Sequence, residues 1–336
     1  MTEADADAGA LVEALRGLGL VSAEEDVELV PLTGGVSSDV IAVKARRGAF
    51  VIKRSIPRLR VAAEWLAPVE RASSEVRWLK LIRSIDPRLA PEVIAELPEQ
   101  HIFVMAYLDQ ATHPVWKTEM FAGRVDPVFA GRVGADLARI HAYAAARPKI
   151  AEQFATDTAF MALRIDPFLL FTADRRPDVA DRLRDLAADL QVRKTTLVQG
   201  DISPKNILMG PDGPVFLDAE CSVWGDGAFD LAFCLTHLLL KSVWLAPHRE
   251  PLLASFEALR DRYLAGVEWE DAGALSRRAA ALVGGLLLAR VDGKSPAGYL
   301  DEAAEAIVRR RAKAILGDQA LDLAALGDAW RTGALG

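Results

Sequence analysis

Cysteine is scarce: of 336 residues, only Cys221 and Cys234 carry thiols. Two cysteines with no ligand spacing exclude a disulfide framework and a zinc ribbon, and they fit a reducing cytoplasm. Histidine is as sparse, with five in the chain and no pair at metal-ligand spacing; His141 reads as a satisfied helix residue. A basic excess is missing too. The net charge of −7 provides no general attraction to phosphate backbones or anionic lipid, so no nucleic-acid or membrane partner is expected. Long apolar runs are absent: the most apolar stretch, Ala279 to Ala289, stops at Arg290, well short of the roughly twenty residues needed to span a bilayer. It reads as a buried helix. Met1 to Ala10 is acidic and alanine-rich, without the basic start and apolar run of a secretory signal. What the chain does have is a hydrophobic fraction of 51% mixed with charge, enough for one large core or two connected ones.

The most informative segment is Gln199-Gly200-Asp201-Ile202-Ser203-Pro204-Lys205-Asn206, followed by Asp218-Ala219-Glu220. Between them, Ile207-Leu208-Met209 and Val215-Phe216-Leu217 flank Gly210-Pro211-Asp212-Gly213-Pro214, which predicts a β-hairpin with its turn at position 212. An antiparallel hairpin of that register brings Asn206 and Asp218 side by side at its open end, with Asp201 on the loop leading in. An amide oxygen and a carboxylate are hard ligands suited to Mg²⁺. Asp201 is then left to accept a proton. An Asp five residues before an Asn, with a later Asp, matches the division of labour in kinase-type phosphoryl transfer.

Residues 27 to 53 read as strands: Val27 to Leu32, Val40 to Val43 and Phe50 to Lys53 flank Thr33-Gly34-Gly35-Val36-Ser37-Ser38 and Arg46-Arg47-Gly48. A small antiparallel sheet is expected there. The Gly34-Gly35 turn, with Ser37 after it, lets backbone N–H groups approach phosphate oxygens where no Cβ obstructs them. Lys53 falls at the end of the third strand, where a kinase places its phosphate-binding lysine. Val69, Ala72, Val76, Leu79 and Ile82 then mark a helix, on which Glu70 and Glu75 are candidate partners for Lys53. After His101 to Leu108, another strand, the pattern turns mostly helical. Phe129, Val133, Leu137, Ile140 and Ala144 form one stripe of that part. Asp230 stands where it would cap the next helix and support the catalytic loop. Gly293-Lys294-Ser295 imitates the end of a P-loop but lacks the earlier glycine, which would fall at Leu288. Arg290, Asp292 and Lys294 either line the acceptor pocket or tie down a helix end.

With these residues in view, the chain resembles the aminoglycoside phosphotransferase and choline kinase-like superfamily of small-molecule kinases, whose motif is H-G-D-x-x-x-x-N followed by an Asp that ends a strand. Asp218-Ala219-Glu220 is similar to the D-x-E of the methylthioribose kinase branch. So is the run from Lys53 to Val61, followed by Trp65 and Arg71-Ala72-Ser73-Ser74-Glu75. Gln199 departs from the family's usual His. The resemblance covers roughly residues 30 to 240 and implies an α+β, two-lobed protein-kinase-like fold. Its small antiparallel-sheet lobe would span residues 1–108 and its larger, mostly helical lobe 109–336. It further implies ATP and Mg²⁺ as cofactors, with phosphates on Gly34, Gly35, Ser37 and Lys53, and with Glu75 pairing Lys53. Adenine would sit beside Met105 and Tyr107, the metal on Asn206 and Asp218, and Asp201 would be the base facing a small-molecule hydroxyl acceptor. Lys205, Glu220 and Arg290 are accessory candidates. An aminoglycoside-type antibiotic phosphotransferase and an inactive nucleotide-binding scaffold stay open as alternatives, as do oligomeric state and acceptor.

Overall fold

The computed structural model describes residues 3–32, 37–46, 48–60 and 65–335. Helix α1 (Glu3–Gly17) precedes β1 (Glu28–Pro31), β2 (Ser38–Ala45) and β3 (Gly48–Ser55), and α2 (Arg71–Ile85) leads to β4 (Val93–Leu97) and β5 (Ile102–Ala106). The five strands form one antiparallel sheet in the order β1-β2-β3-β5-β4. Strand alternation gives each face its own core. Val43, Ile52, Ile102 and Val104 meet Leu11 and Leu15 of α1 on one side. On the other, Val51, Phe103 and Met105 belong to the cluster that holds Val76, Leu79 and Ile82 of α2. The α+β expectation of a small antiparallel sheet with a helical part after it therefore holds; α1 adds a layer that no sequence pattern announced.

Helices dominate the rest of the chain: α3 (Trp116–Phe121), α4 (Pro127–Ala145) and α5 (Asp157–Phe160), then a π-helix at Met161–Leu170, α6 (Phe171–Arg175) and α7 (Ala180–Val192). Short strands β6 (Thr196–Val198), β7 (Ile207–Gly210), β8 (Gly213–Phe216) and β9 (Val223–Gly225) carry the loops of interest. The chain ends in α8 (Ala228–Trp244), α9 (Arg249–Leu264), α10 (Ala272–Asp292), α11 (Glu302–Gly317) and α12 (Leu323–Thr332). Helix α4 starts where Asp126 accepts from the amides of Val128 and Phe129, with Pro127 in the first turn. Its predicted stripe is buried. Helix α10 runs 21 residues, longer than the apolar stretch suggested. It is the one described helix long and apolar enough to cross a membrane, but 67% of its most apolar window is buried in the protein.

Helices α4 and α9 touch backbone to backbone at Gly134, where an added Cβ would lie 2.2 Å from the carbonyl oxygen of Leu259. No side-chain rotation relieves that contact. Gly134→Ala is expected to destabilise by about 3 kcal/mol, the upper end for overpacking, and thermal unfolding checks it. An unchanged melting temperature would mean that α9 shifts freely.

Candidate active site

Strand β6 delivers the chain to Gln199, and two carboxylate oxygens receive it. Asp230, on the first turn of α8, accepts from the amides of Gln199 at 2.6 Å and Gly200 at 2.8 Å. It thus braces the loop without capping its own helix, where Asp226 accepts from the amide of Ala228 at 3.0 Å instead. His141 fills out this support with Nε2 3.3 Å from Asp230 and Nδ1 2.7 Å from the Tyr263 hydroxyl, fully buried. Gly200 has φ 85°, and a Cβ there would meet the carbonyl oxygen of Cys221 at 2.8 Å. Both conditions demand glycine. The side chain of Gln199 then does positioning work: Oε1 accepts from the Asp201 amide, and Nε2 donates to the carbonyls of Leu217 at 2.8 Å and Asp218 at 3.0 Å. One amide, both donor and acceptor, joins the two acidic segments. Burial pushes both nearby thiols up, that of Cys234 to about 12, so Cys221 and Cys234 are inert packing residues.

The hairpin forms as expected, with one correction to its register. Ile207 pairs with Phe216 and Gly210 with Gly213, so Pro211 and Asp212 alone make the turn. Asn206 therefore lies opposite Leu217, whose amide donates to the Asn206 carbonyl at 2.9 Å, and Asp218 falls one residue beyond. Asp218 has φ 63°, a left-handed conformation rare for a residue with a Cβ and typical of functional sites. Asn206 Nδ2 donates to the Asp201 carbonyl at 3.1 Å, which leaves its Oδ1 free as a ligand.

Opposite this loop stands Lys53, 4% exposed, with Nζ 2.6 Å from Glu75 Oε2 and 2.5 Å from Asp218 Oδ1. The helix register puts Glu75, not Glu70, within reach. Burial works against the ammonium, but Asp218 and Glu75 outweigh it and hold Lys53 well above the usual lysine range. The same geometry, chiefly through Lys53 and then Lys205, outweighs burial to keep Asp218 far below the usual carboxylate range. Asp218 is therefore an anion at any physiological pH.

Two arginines complete the site: Arg71, which stood in the family-like run ending at Glu75 without a role assigned to it, and Arg164, which no local motif marked. Arg164, on the π-helix, puts Nη2 3.0 Å from Asp201 Oδ2, while its Nε donates to the Gly200 carbonyl. Pro167 has no N–H to offer the carbonyl five residues back, and Ala162 accepts instead from Trp65 Nε1 at 2.8 Å, while Pro167 itself accepts from the Lys294 amide at 3.2 Å. Arg71, at the start of α2, places Nε 2.9 Å from Glu220 Oε2 and donates to the carbonyls of Ser37, Ile56, Ala67 and Pro68. Glu220 thus fastens the sheet region to the segment that follows the Asp201 loop and its hairpin.

The other sequence candidates occupy several places around this centre. Ser37 is buried, with its carbonyl held by Arg71; Gly34 and Gly35 lie outside the described residues. Met105 ends the inner face of β5, and Tyr107 comes just after that strand, half-buried. Lys205 is exposed and reaches Asp201 Oδ2 at 3.1 Å, so it and Arg164 meet at that carboxylate oxygen. Arg290 donates to the Ser295 backbone and hydroxyl. Asp292 is held by Arg176 and Arg309 as a structural tie, and Lys294 sits 5.9 Å from the Trp65 ring. Among the described residues no group of three or more His, Cys, Asp or Glu forms a metal cage. Asn206 Oδ1 and the Asp218 carboxylate instead suit a hard cation that completes its shell with water and phosphate.

A model described as the phosphotransferase enzyme family matches residues 28–275. Methylthioribose kinase of Enterobacter sp. (strain 638) is 25% identical over 226 residues, 59% of this chain and 56% of that protein. That of Pectobacterium carotovorum subsp. carotovorum (strain PC1) is 25% identical over 253 residues, 66% and 60%. The chain thus spans less than two thirds of the length of these curated relatives. Among solved structures, amicoumacin kinase hAmiN in complex with AMP-PNP, Ca²⁺ and Ami superposes with a TM-score of 0.56 at 14% identity, covering 91% of this chain and 92% of that one. A choline/ethanolamine kinase family protein from Mesorhizobium loti gives 0.53 at 17%, covering 96% and 99%. These two likenesses show the fold.

Proposed function

The chain belongs to the phosphotransferase enzyme family, and from that premise we propose that it transfers the γ-phosphate of ATP to a hydroxyl of a small polar, sugar-like metabolite, with Asp201 as base. The observation that carries this reading is the convergence of Asp201, Asn206 and Asp218 on one loop-hairpin unit, opposite the Lys53–Glu75 pair. The Asp201 carboxylate, between Arg164 and Lys205, accepts the acceptor's proton. Its oxygen then attacks the γ-phosphorus in line as the bond to the bridging oxygen breaks, and ADP leaves with that electron pair. Arg164 and Lys205 stand where charge on the transferring group is offset. Lys53 and the Gly34-Gly35-Ser37 segment take the phosphates, and Met105 and Tyr107 flank adenine at the junction of lobes 1–108 and 109–336. Asn206 and Asp218 would hold Mg²⁺, which would neutralise the phosphates.

The nucleotide and divalent cation in the amicoumacin kinase complex and the sugar-like acceptor of the methylthioribose kinases support the two halves of the proposal. Reduced cysteines accord with a cytoplasmic enzyme. The test is ADP release across sugars, amino alcohols, hydroxy acids and aminoglycosides, with and without Mg²⁺. Mg²⁺-dependent turnover with a non-antibiotic alcohol is expected. Turnover confined to aminoglycosides would make the protein an antibiotic phosphotransferase, and none with any acceptor, alongside Mg²⁺-independent ATP binding, would make it a scaffold.

A further inference from the structure

Beyond Asp201, toward the helices, cations gather with no carboxylate of their own. Lys117 of α3 and Lys241 of α8 place Nζ 5.2 and 5.9 Å from the centre of the same Phe121 ring, and Lys241 lies 5.9 Å from that of Tyr299. Helix α3 packs on the turn that carries Lys205. Arg290, at the end of α10, is within electrostatic reach of Asp201 and Arg164, with its Nε buried and unpartnered. Lys241 is 2% exposed, and its hydrogen bond goes to the His237 carbonyl at 3.3 Å; neither it nor Lys117 has a carboxylate partner among the described residues. The Tyr299 hydroxyl is also buried without a partner.

These groups oppose one another. Burial, with Lys117 and Arg290, pushes Lys241 down to about 7; burial, with Lys205 and Arg290, lowers Lys117. Like charges held this way cost free energy until an anion joins them. Packing alone does not explain the arrangement, since an apolar side chain of similar size at position 241 would fill the space without burying a charge. The same repulsion disfavours a cationic ligand. Phe121, Trp244 and Tyr299 lie 4.5 to 5.9 Å apart and would suit a quaternary ammonium, yet the protein's own ammonium groups already occupy the neighbourhood of these rings.

We propose that Lys117, Lys241 and Arg290 bind an oxyanion group, phosphate or carboxylate, on the acceptor whose hydroxyl faces Asp201. The inference rests on the kinase reading and names its substrate class: an anionic alcohol. Two measurements on the full chain test it separately from that reading. In the first, ADP release is compared for glycerol, glycerate, glycerol 3-phosphate and 3-amino-1,2-propanediol. The two anions are expected to exceed the neutral and cationic alcohols by about 10-fold or more in kcat/KM, and their ranking separates carboxylate from phosphate. Turnover confined to the neutral or cationic alcohols would overturn the inference while leaving the kinase reading intact.

In the second, inorganic phosphate and glycerate are titrated calorimetrically into the protein saturated with AMP-PNP, which removes the nucleotide site from competition. Binding is expected to weaken about 10-fold in Lys117→Met and in Lys241→Met. Lys241→Met removes a buried charge at nearly constant volume, and Lys117→Met, half-exposed, serves if the former fails to fold. Absent binding in the wild type, or equal binding in both variants, overturns the inference. Lysine-dependent binding without turnover of any alcohol would keep the anion site and sink the kinase reading.

Discussion

Asp201→Asn is expected to lower kcat by about 10²- to 10⁴-fold, the usual contribution of a positioned general base, with AMP-PNP affinity nearly unchanged. The substitution keeps the side-chain shape and the backbone contacts that hold the loop: the Asp201 amide still meets Gln199 Oε1, and its carbonyl still accepts from Asn206 Nδ2. What it removes is the proton acceptor, and with it the anion between Arg164 and Lys205. In the proposed arrangement the nucleotide is held by the opposite wall around Lys53, so binding and turnover should separate. Stopped assays of ADP release, with calorimetric titration of AMP-PNP, measure both. Turnover within a few-fold of wild type would remove Asp201 as base, and a parallel collapse of nucleotide binding would mean that the loop itself had been lost.

Arg71→Met is expected to destabilise the protein by about 3–5 kcal/mol, the usual cost of leaving one member of a buried ion pair without its partner. Arg71 has no exposed side-chain surface and Glu220 has 6%. The same guanidinium also satisfies the carbonyls of Ser37 and Ile56, so its loss orphans acceptors as well as a charge. Urea unfolding measures the loss as a lower midpoint at constant slope. Arg71→Met combined with Glu220→Gln should recover part of it, because the unpaired charge is gone although the orphaned carbonyls remain. A variant as stable as wild type would show that Glu220 finds water or another cation, and that the pair does not couple the sheet to the Asp201 loop and hairpin.

Much of the site was legible in the chain because its parts lie close in sequence. Turn residues between two short apolar runs are enough to predict the hairpin, and hence that Asn206 and Asp218 stand near Asp201. The error of one residue in register arose because Gly210 and Gly213 pair with each other, which shortens to two residues a turn whose composition suggested five. Position 199 shows the opposite case: against the motif, Gln199 is a departure, but its amide reaches Leu217, Asp218 and Asp201 together. Helix periodicity made Glu75 a candidate partner for Lys53, and resemblance chose it over Glu70.

By itself, the sequence determined the antiparallel sheet with helices after it, the hairpin, and the identity of the acidic residues on the loop, because periodicity, turn chemistry and motif spacing act over a few residues. Only the tertiary structure decided which distant charges meet. Arg71 and Glu220 are 149 positions apart, and Lys53 and Asp218 are 165 apart. Arg164 reaches the loop from a π-helix that no pattern announced. Lys117 and Lys241 look like ordinary helical lysines until α3 and α8 bring them over one ring. Electrostatic energy depends on distance and burial in three dimensions, and neither is written in the spacing of residues along the chain.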